Sequence, residues 1–238
     1  MSISIPTNTL LIFLGFLPSI VWLLIFLTKD PRPEPKYLII KVFLAGIIIA
    51  PAVVLLEAAA SGFAKNIVSS TLIFFGLAAF VEEYMKYWTV KITVVSKPDF
   101  DEPHDSIIYM ITAALGFAAM ENVLIAFKIY PEGLAATLGV IFLRFTGATL
   151  LHALASGIVG YFLGLAWFFY HFKKQIVAFG LILASFLHLV FNYLIFLNPN
   201  AALAGNTLIL LAMLVFVLIL FDRLKDRRKQ QFIQSLST

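Results

Sequence analysis

The 238-residue chain contains no cysteine and few charged residues. Without cysteine, thiol catalysis, disulfide bonds and cysteine-ligated metal sites are excluded, so the four histidines are the only side-chain nitrogen ligands available for a metal. Charged residues make up 13% of the chain, against about 25% in a soluble globular domain. Hydrophobic residues make up 61%, which excludes intrinsic disorder. This composition predicts a protein embedded in a lipid bilayer.

Seven apolar segments are long enough to cross a bilayer at about twenty residues each. They are Thr9–Leu27, Tyr37–Ala60, Ile67–Val90, Ser106–Phe127, Leu134–Tyr170, Ile176–Leu197 and Ala201–Phe221. The fifth segment, as one helix, would be about 55 Å long, well beyond a bilayer core of about 30 Å. We therefore expect a break near Thr146–Gly147, which would create an eighth, half-length segment. The predicted fold is an all-α, polytopic membrane helix bundle, with residues 1–238 in a single domain.

Basic residues in the connections between the spans predict the orientation of the chain. Thirteen of them follow the first, third, fifth and seventh spans, whereas the other connections contain two, Lys65 and Lys128. This asymmetry predicts a multi-pass cell-membrane protein with its N-terminus outside and its C-terminus in the cytoplasm. Because the basic residues are spread between apolar segments, the net charge of +4 does not indicate nucleic-acid binding.

Several ionisable residues fall inside the predicted spans, where a charged group costs about 2.5–3.5 kcal/mol on insertion scales. They are Glu82, Glu83, Lys86, Glu121, Arg144, His152 and His188. Internal pairing accounts for some of them, because Glu82 and Lys86 are four residues apart on one helix face and Glu121 can pair with Arg144. Pairing does not require two adjacent acids or two histidines, however, so the set as a whole indicates a functional site.

These residues form four motifs on four different spans. The motifs are Glu82-Glu83-x-x-Lys86, Phe117-x-x-x-Glu121-Asn122, His152 on a ridge of small residues, and His188-x-x-x-Asn192. Imidazole and carboxylate groups are zinc ligands, and a catalytic zinc site keeps one position for water. A nearby carboxylate can then remove a proton from that water, and asparagine can donate a hydrogen bond to a developing oxyanion. Together the motifs suit peptide-bond hydrolysis.

Roles can be assigned within these motifs as hypotheses. The catalytic set is Glu82, Glu83, His152, His188 and Asn192, supported by Lys86, Glu121 and Asn122. His152 and His188 with one carboxylate, Glu83, are the predicted zinc ligands. Glu82 points about 100° away from Glu83 around the helix and is assigned the general base.

Depth within the membrane and the remaining histidines complete the pattern. Counted from the outer helix ends, Glu82 lies about 22 Å deep and Glu121 about 10 Å, so Glu121 fits a shared plane least well. A break in the fifth span would change the depth of His152. The other two histidines, His104 and His171, lie at the edges of spans, which predicts interfacial positions.

The four motifs resemble, in the same order, those of the PrsW family of membrane-embedded proteases. The segment Asp30-Pro31-Arg32-Pro33-Glu34-Pro35 also fits that family. The type II prenyl-protein (CAAX-type) endopeptidases are similar, but they usually have arginine and histidine where this chain has Lys86 and Glu121. The resemblance implies proteolysis of a membrane-anchored substrate such as an anti-sigma factor. It implies a metallopeptidase or, as considered for the CAAX-type relatives, a metal-free enzyme in which a glutamate activates water.

Two other functions stay open at the level of sequence. Embedded glutamate and histidine residues can form an ion pathway in a small transporter, although no inverted repeat is visible. The small residues around His152 can also serve a non-catalytic scaffold that binds partner helices. Geometry separates these functions. A protease requires the double glutamate, His152 and His188 around one cavity, with sideways substrate entry, whereas a transporter strings them along a path across the membrane.

Overall fold

The computed structural model describes residues 6–30, 32–67 and 71–236 of the chain, so that Pro31 lies outside the described residues. Within these ranges the chain forms eight α-helices and two short 3-10 helices, with no β-strand. The α-helices are α1 Thr7–Leu27, α2 Lys36–Ile67, α3 Thr71–Thr93, α4 Asp105–Ile129, α5 Leu134–Thr146, α6 Ala148–Leu165, α7 Lys173–Leu197 and α8 Pro199–Leu236. The predicted all-α architecture is confirmed.

Six helical stretches in the described part of the chain are long and apolar enough to cross a bilayer. They are Thr7–Leu27, Lys36–Ala59, Asp105–Glu132, Leu134–Leu165, Tyr170–Leu197 and Ala204–Gln230. Large apolar side chains such as Phe13 and Ile48 are mostly exposed on their outer faces, which suits contact with lipid. The chain is thus a multi-pass membrane protein. α3 corresponds to the remaining predicted span, and it falls outside the six because it carries the three charges of the double-glutamate motif.

The predicted break in the fifth span is confirmed. α5 ends at Thr146 and α6 begins at Ala148, with Gly147 between them at φ −112° and ψ −95°. These angles lie outside the helical region. A Cβ atom at Gly147 would lie 2.8 Å from the carbonyl oxygen of Leu143, so the absence of a side chain permits this turn. The break places His152 in the second turn of a new helix instead of deep in one long helix.

α4 and α6 lie at the centre of the bundle, and most of their residues are buried. Small residues allow the two helices to approach closely, since a Cβ atom at Gly160 would lie 2.6 Å from the Cα of Ile107. The predicted central packing of the small-residue ridge around His152 is confirmed. α6 also packs against α7 and α8, and α3 packs against α2 and α7. The four motifs therefore meet where α3, α4, α6 and α7 surround the same interior space.

Candidate active site

The double-glutamate motif of α3 faces the interior, where Glu82, Glu83 and Lys86 are all buried. Residues three and four apart share a helix face, and Lys86 Nζ lies 3.2 Å from Glu82 Oε2 and 2.8 Å from Glu83 Oε1. The same ammonium lies 2.8 Å from Nδ1 of His152 on α6. A single cation thus holds two carboxylates and an imidazole together. The internal pairing of Glu82 with Lys86 that the spacing allows is therefore present, as one part of a larger network.

Both ring nitrogens of His152 have partners that fix its orientation. Since the Lys86 ammonium can only donate, Nδ1 of His152 accepts, and the hydrogen-bond network assigns the ring proton to Nε2. Nε2 then donates to Glu121 Oε2 at 2.8 Å. The ring of Phe117 packs against the imidazole with 5.6 Å between centroids. Two residues of the Phe117-x-x-x-Glu121-Asn122 motif, Phe117 and Glu121, therefore contact His152.

His188 reaches the cluster from α7, and Glu83 orients it. Nδ1 of His188 lies 3.1 Å from Glu83 Oε1, and its Nε2 lies 3.9 Å from Glu82 Oε2. The second oxygen of Glu83 accepts a hydrogen bond of 2.6 Å from the Ser156 hydroxyl. Glu83 is thereby fixed at both oxygens and turns Nε2 of His188 toward Glu82. Carboxylates hold metal-binding imidazoles in this way in many metalloproteins.

The possible pairing of Glu121 with Arg144 is confirmed, since Arg144 Nη2 lies 3.1 Å from Glu121 Oε2. Arg144 Nε also donates to Asn122 Oδ1, and Asn122 Nδ2 donates to the Thr149 hydroxyl at 3.0 Å. These contacts join α4 to both sides of the α5–α6 break. By depth along straight helices Glu121 was the poorest fit to a shared plane. In the structure its Oε2 nevertheless lies 2.8 Å from His152 Nε2.

Three buried residues are spaced as metal ligands would be. Glu82, His152 and His188 each offer one donor atom, and these atoms lie within 4.8 Å of one another. Zinc bonds of about 2.1 Å in a tetrahedron place donor atoms about 3.4 Å apart, so the spacing is close to that of a zinc site. The sequence predicts Glu83 as the third zinc ligand beside the two histidines. In the structure the carboxylate grouped with both histidines is that of Glu82. The Lys86 ammonium contacts two of the three donors and so stands where a cation would bind.

Asn192 is less closely tied to the cluster than the other predicted residues. It lies one turn beyond His188 on α7 and is half-buried. In the part of the chain that the structure describes, its side chain forms no hydrogen bond with the cluster. Its amide remains available for a substrate.

Two residues near the cluster were not predicted from the sequence. Ser156 lies on the small-residue ridge of α6 and donates a hydrogen bond to Glu83. Its position one turn after His152 was the signal that could have revealed it. Glu57 on α2 interacts electrostatically with Glu82 and Glu121, and its Oε1 is buried with no hydrogen-bond partner among the described residues. Glu57 is the only acidic residue in the second predicted span, which was the available signal.

A cavity of about 340 Å³ lies where the α5–α6 break meets α7 and α8. Leu150 and Phe191 line it, and each is within one helical turn of a histidine of the cluster, His152 and His188 respectively. Most of the other lining side chains are apolar. None of Glu82, Glu83, His152 and His188 lines this cavity.

The embedded residues converge instead of following a path across the membrane. Glu82, His152 and His188 from three helices have donor atoms within 4.8 Å of each other. This is the geometry that a protease requires and that a chain of ion-relay sites along a transporter would not show. A carboxylate and two imidazoles that meet in this way are the groups that hydrolysis uses.

Comparison with known proteins covers most of the chain. Residues 34–221 match the model of a family described as PrsW family intramembrane metalloprotease. The chain is 29% identical over 221 residues to Protease PrsW of Oceanobacillus iheyensis, covering 92% of this chain and 96% of the relative. It is 30% identical over 187 residues to Protease PrsW of Geobacillus kaustophilus, covering 78% and 79%. For Protease PrsW of Clostridioides difficile the identity is 26% over 220 residues, covering 89% and 87%. No solved structure matches the chain.

Proposed function

Because the chain belongs to the PrsW family and is a membrane-embedded endopeptidase, we propose that Glu82, Glu83, His152 and His188 form its active site. The observation that carries this proposal is the convergence of Glu82 with the two histidines inside the bundle. Burying so many ionisable groups in one place is costly in a bilayer. A hydrolytic site is the function that accounts for a second acid and a second imidazole, which charge pairing alone does not require.

The proposed substrate is a membrane-anchored protein of the anti-sigma-factor kind. The site lies among membrane-spanning helices, so a scissile bond reaches it most directly from within the bilayer. The cavity beside Leu150 and Phe191 suits an apolar substrate segment that enters sideways between α5 and α8. The excess of basic residues in alternate connections supports the proposed orientation, with the C-terminus in the cytoplasm and the N-terminus outside.

We propose zinc as the cofactor, with Glu82 Oε2, His152 Nδ1 and His188 Nε2 as its ligands. The donor set is of the type that catalytic zinc prefers, and Glu83 and Glu121 hold the two imidazoles from behind. When bound, zinc lowers the pKa of a water molecule to about 7 and polarises a carbonyl group. For zinc to bind, the Lys86 ammonium must move away from Glu82 and His152. The contact between Lys86 and Glu83 can persist.

Glu82 is proposed as the general base. All its hydrogen bonds and ion pairs with described residues go through Oε2, which leaves Oε1 to accept the proton of the attacking water. Glu83 keeps His188 oriented, and Glu121 keeps the proton of His152 on Nε2. The Asn192 amide, one turn from His188, is placed to donate to the substrate.

The position of Lys86 favours a metal-free mechanism as the alternative. Its ammonium already neutralises Glu82 and Glu83 and contacts His152, which is the place that a metal would take. In this mechanism Glu82 still activates water. The Asn192 amide and the doubly protonated ring of His188, which donates from Nε2, then stabilise the oxyanion.

The test of the proposed function is cleavage of single-span substrates by the purified, full-length enzyme. Replacing a general base typically costs 10²–10⁴-fold, so we expect Glu82→Gln to lower the rate about 10³-fold with an unchanged melting temperature. Glu132→Gln, an exposed acid in the α4–α5 connection, is the matched control and should cleave normally. Full activity in both Glu82→Gln and Glu83→Gln would contradict the assignment.

Elemental analysis decides between the two mechanisms. If zinc is the cofactor, a chelator removes activity, zinc restores it, and His188→Asn lowers both the zinc content and the rate. An enzyme that is fully active after its zinc has been removed would refute the three ligands. That result would leave the glutamate–water mechanism with Lys86 in place of the metal.

A further inference from the structure

A second cluster of buried ionisable groups lies where the α1–α2 and α3–α4 connections meet the start of α4. Its members are Asp30, Glu34, Glu102, His104 and Asp105. All but the half-buried Glu34 are less than a tenth exposed. His104 directly precedes α4, and Glu121 follows it on that helix about 25 Å further along, at ~1.5 Å per residue. This peripheral cluster is therefore separate from the active site.

The imidazole of His104 is surrounded by carboxylate oxygens. Its Nε2 lies 3.0 Å from Glu102 Oε2, 3.7 Å from Asp30 Oδ1 and 3.9 Å from Asp105 Oδ1. Neither ring nitrogen forms a hydrogen bond with the described residues, and His104 is only 3% exposed. Both nitrogens of a buried imidazole thus form no hydrogen bond with the described residues although acceptors surround them, which is unusual for a native interior.

Glu102 and Asp105 each have one carboxylate oxygen held by residues other than His104 and a second oxygen turned toward the His104 ring. Glu102 Oε1 pairs with Arg32 at 2.7 Å, and Asp105 Oδ2 accepts the backbone N–H of Asp101 and of Glu102 at 3.0 and 2.7 Å. Their other oxygens, Glu102 Oε2 and Asp105 Oδ1, face His104. Asp30 Oδ2 has no hydrogen-bond partner among the described residues. Outer contacts of this kind orient the ligands of metal sites.

Negative charge exceeds positive charge in this cluster. Four carboxylates meet one guanidinium, that of Arg32, whose side chain is 73% exposed. Buried carboxylates require a proton or a cation as compensation. Apart from the pair between Arg32 and Glu102, no lysine or arginine of the described residues lies within ion-pair distance of these carboxylates.

We propose that Glu102, His104 and Asp105, with Asp30 as a fourth oxygen donor, bind a divalent metal ion of the zinc or manganese type. The first three offer donor atoms within 4.8 Å of one another, and one imidazole with several carboxylates suits these ions. The nitrogen–oxygen distances of 3.0 to 3.9 Å are close to the separation of about 3.4 Å between tetrahedral ligands. The ion joins the α1–α2 connection to the start of α4.

The first experiment counts bound ions in the purified, full-length chain in detergent. Mn²⁺ is titrated into a His188→Asn background, which removes a ligand of the active site, and free Mn²⁺ is followed by electron paramagnetic resonance. We expect about one Mn²⁺ per chain, displaced by Zn²⁺, and a higher melting temperature when it is bound. No binding of either ion would overturn the proposal. Because ion binding and melting temperature are measured, and not cleavage, this result is independent of whether the proposed active site is correct.

The second experiment locates the ion. Adding His104→Gln to the background should weaken Mn²⁺ binding at least tenfold, whereas adding His171→Gln, which alters an exposed histidine, should leave it unchanged. Asp30→Asn, in a connection between helices, serves as a second variant should the His104 variant fail to fold, and it should weaken binding several-fold. Unchanged Mn²⁺ affinity in folded Asp30→Asn and His104→Gln chains would overturn the assignment.

Discussion

The embedded cluster and the peripheral cluster differ in how their negative charge is compensated. In the embedded cluster three carboxylates contact two cations of the chain itself, Lys86 and Arg144. In the peripheral cluster four carboxylates meet one exposed guanidinium. The two ring nitrogens of His104 and Oδ2 of Asp30 form no hydrogen bond with the described residues. Ionisable groups inside the hydrocarbon core of a membrane require counter-charges from the protein itself. Groups at a helix end near the membrane edge can obtain theirs from water.

The largest effect is expected from removing the internal cation of the embedded cluster with Lys86→Met. Lys86 is fully buried, and its loss leaves Glu82 and Glu83 without a counter-charge. Breaking a buried ion pair in this way costs about 3–5 kcal/mol, so the metal-free protein should unfold at a clearly lower temperature and lose activity. Thermal denaturation in detergent micelles measures the first effect and substrate cleavage the second.

Added zinc sharpens this prediction. If zinc binds Glu82, His152 and His188, it replaces two of the contacts that Lys86 makes and should restore part of the lost stability in Lys86→Met. A metal-free Lys86→Met protein that melts at the wild-type temperature would show that the ammonium does not compensate these carboxylates. The contrast between the two clusters would then fail.

Much of the fold could be predicted because it follows from lengths and polarity. A segment too long for one span predicts a break, and α5 ends at Thr146, next to Gly147, where the break was predicted. The ends of most spans follow from the turn and charged residues that flank them. The crossing of α4 and α6 follows less directly, since small residues indicate close packing without naming the partner helix.

The membership of the site could be predicted, but the roles of its two adjacent acids could not. Glu82 and Glu83 point about 100° apart on α3, and both directions face interior space. Only the positions of α6 and α7 decide that Glu82 lies near both histidines while Glu83 is held by Ser156 and His188. Depth counted along straight helices was also misleading for Glu121, because the break after Thr146 shifts His152 along the membrane normal.

A smaller effect is expected from Ser156→Ala, which keeps every charge of the embedded cluster and removes one hydrogen bond. Without the Ser156 hydroxyl, Glu83 Oε2 loses its partner and holds His188 less firmly. Residues behind metal-binding or catalytic imidazoles typically contribute 10–100-fold, so we expect kcat to fall about tenfold. The matched control is Ser185→Ala on α7, because the Ser185 hydroxyl is buried with no partner in the described structure. Equal rates for both variants would remove Glu83 from the orienting role.

The smallest effect is expected from Arg32→Ala, which removes the only guanidinium of the peripheral cluster. The Arg32 side chain is 73% exposed, and exposed ion pairs contribute about 0–1 kcal/mol, so the melting temperature should scarcely change, in contrast to Lys86→Met. The change also frees Glu102 Oε1 and makes the cluster more negative. Mn²⁺ should therefore bind up to about tenfold more tightly, which corresponds to about 1.4 kcal/mol. A loss of stability as large as that of Lys86→Met would mean that Arg32 is the counter-ion of this cluster, and the two clusters would then be compensated in the same way.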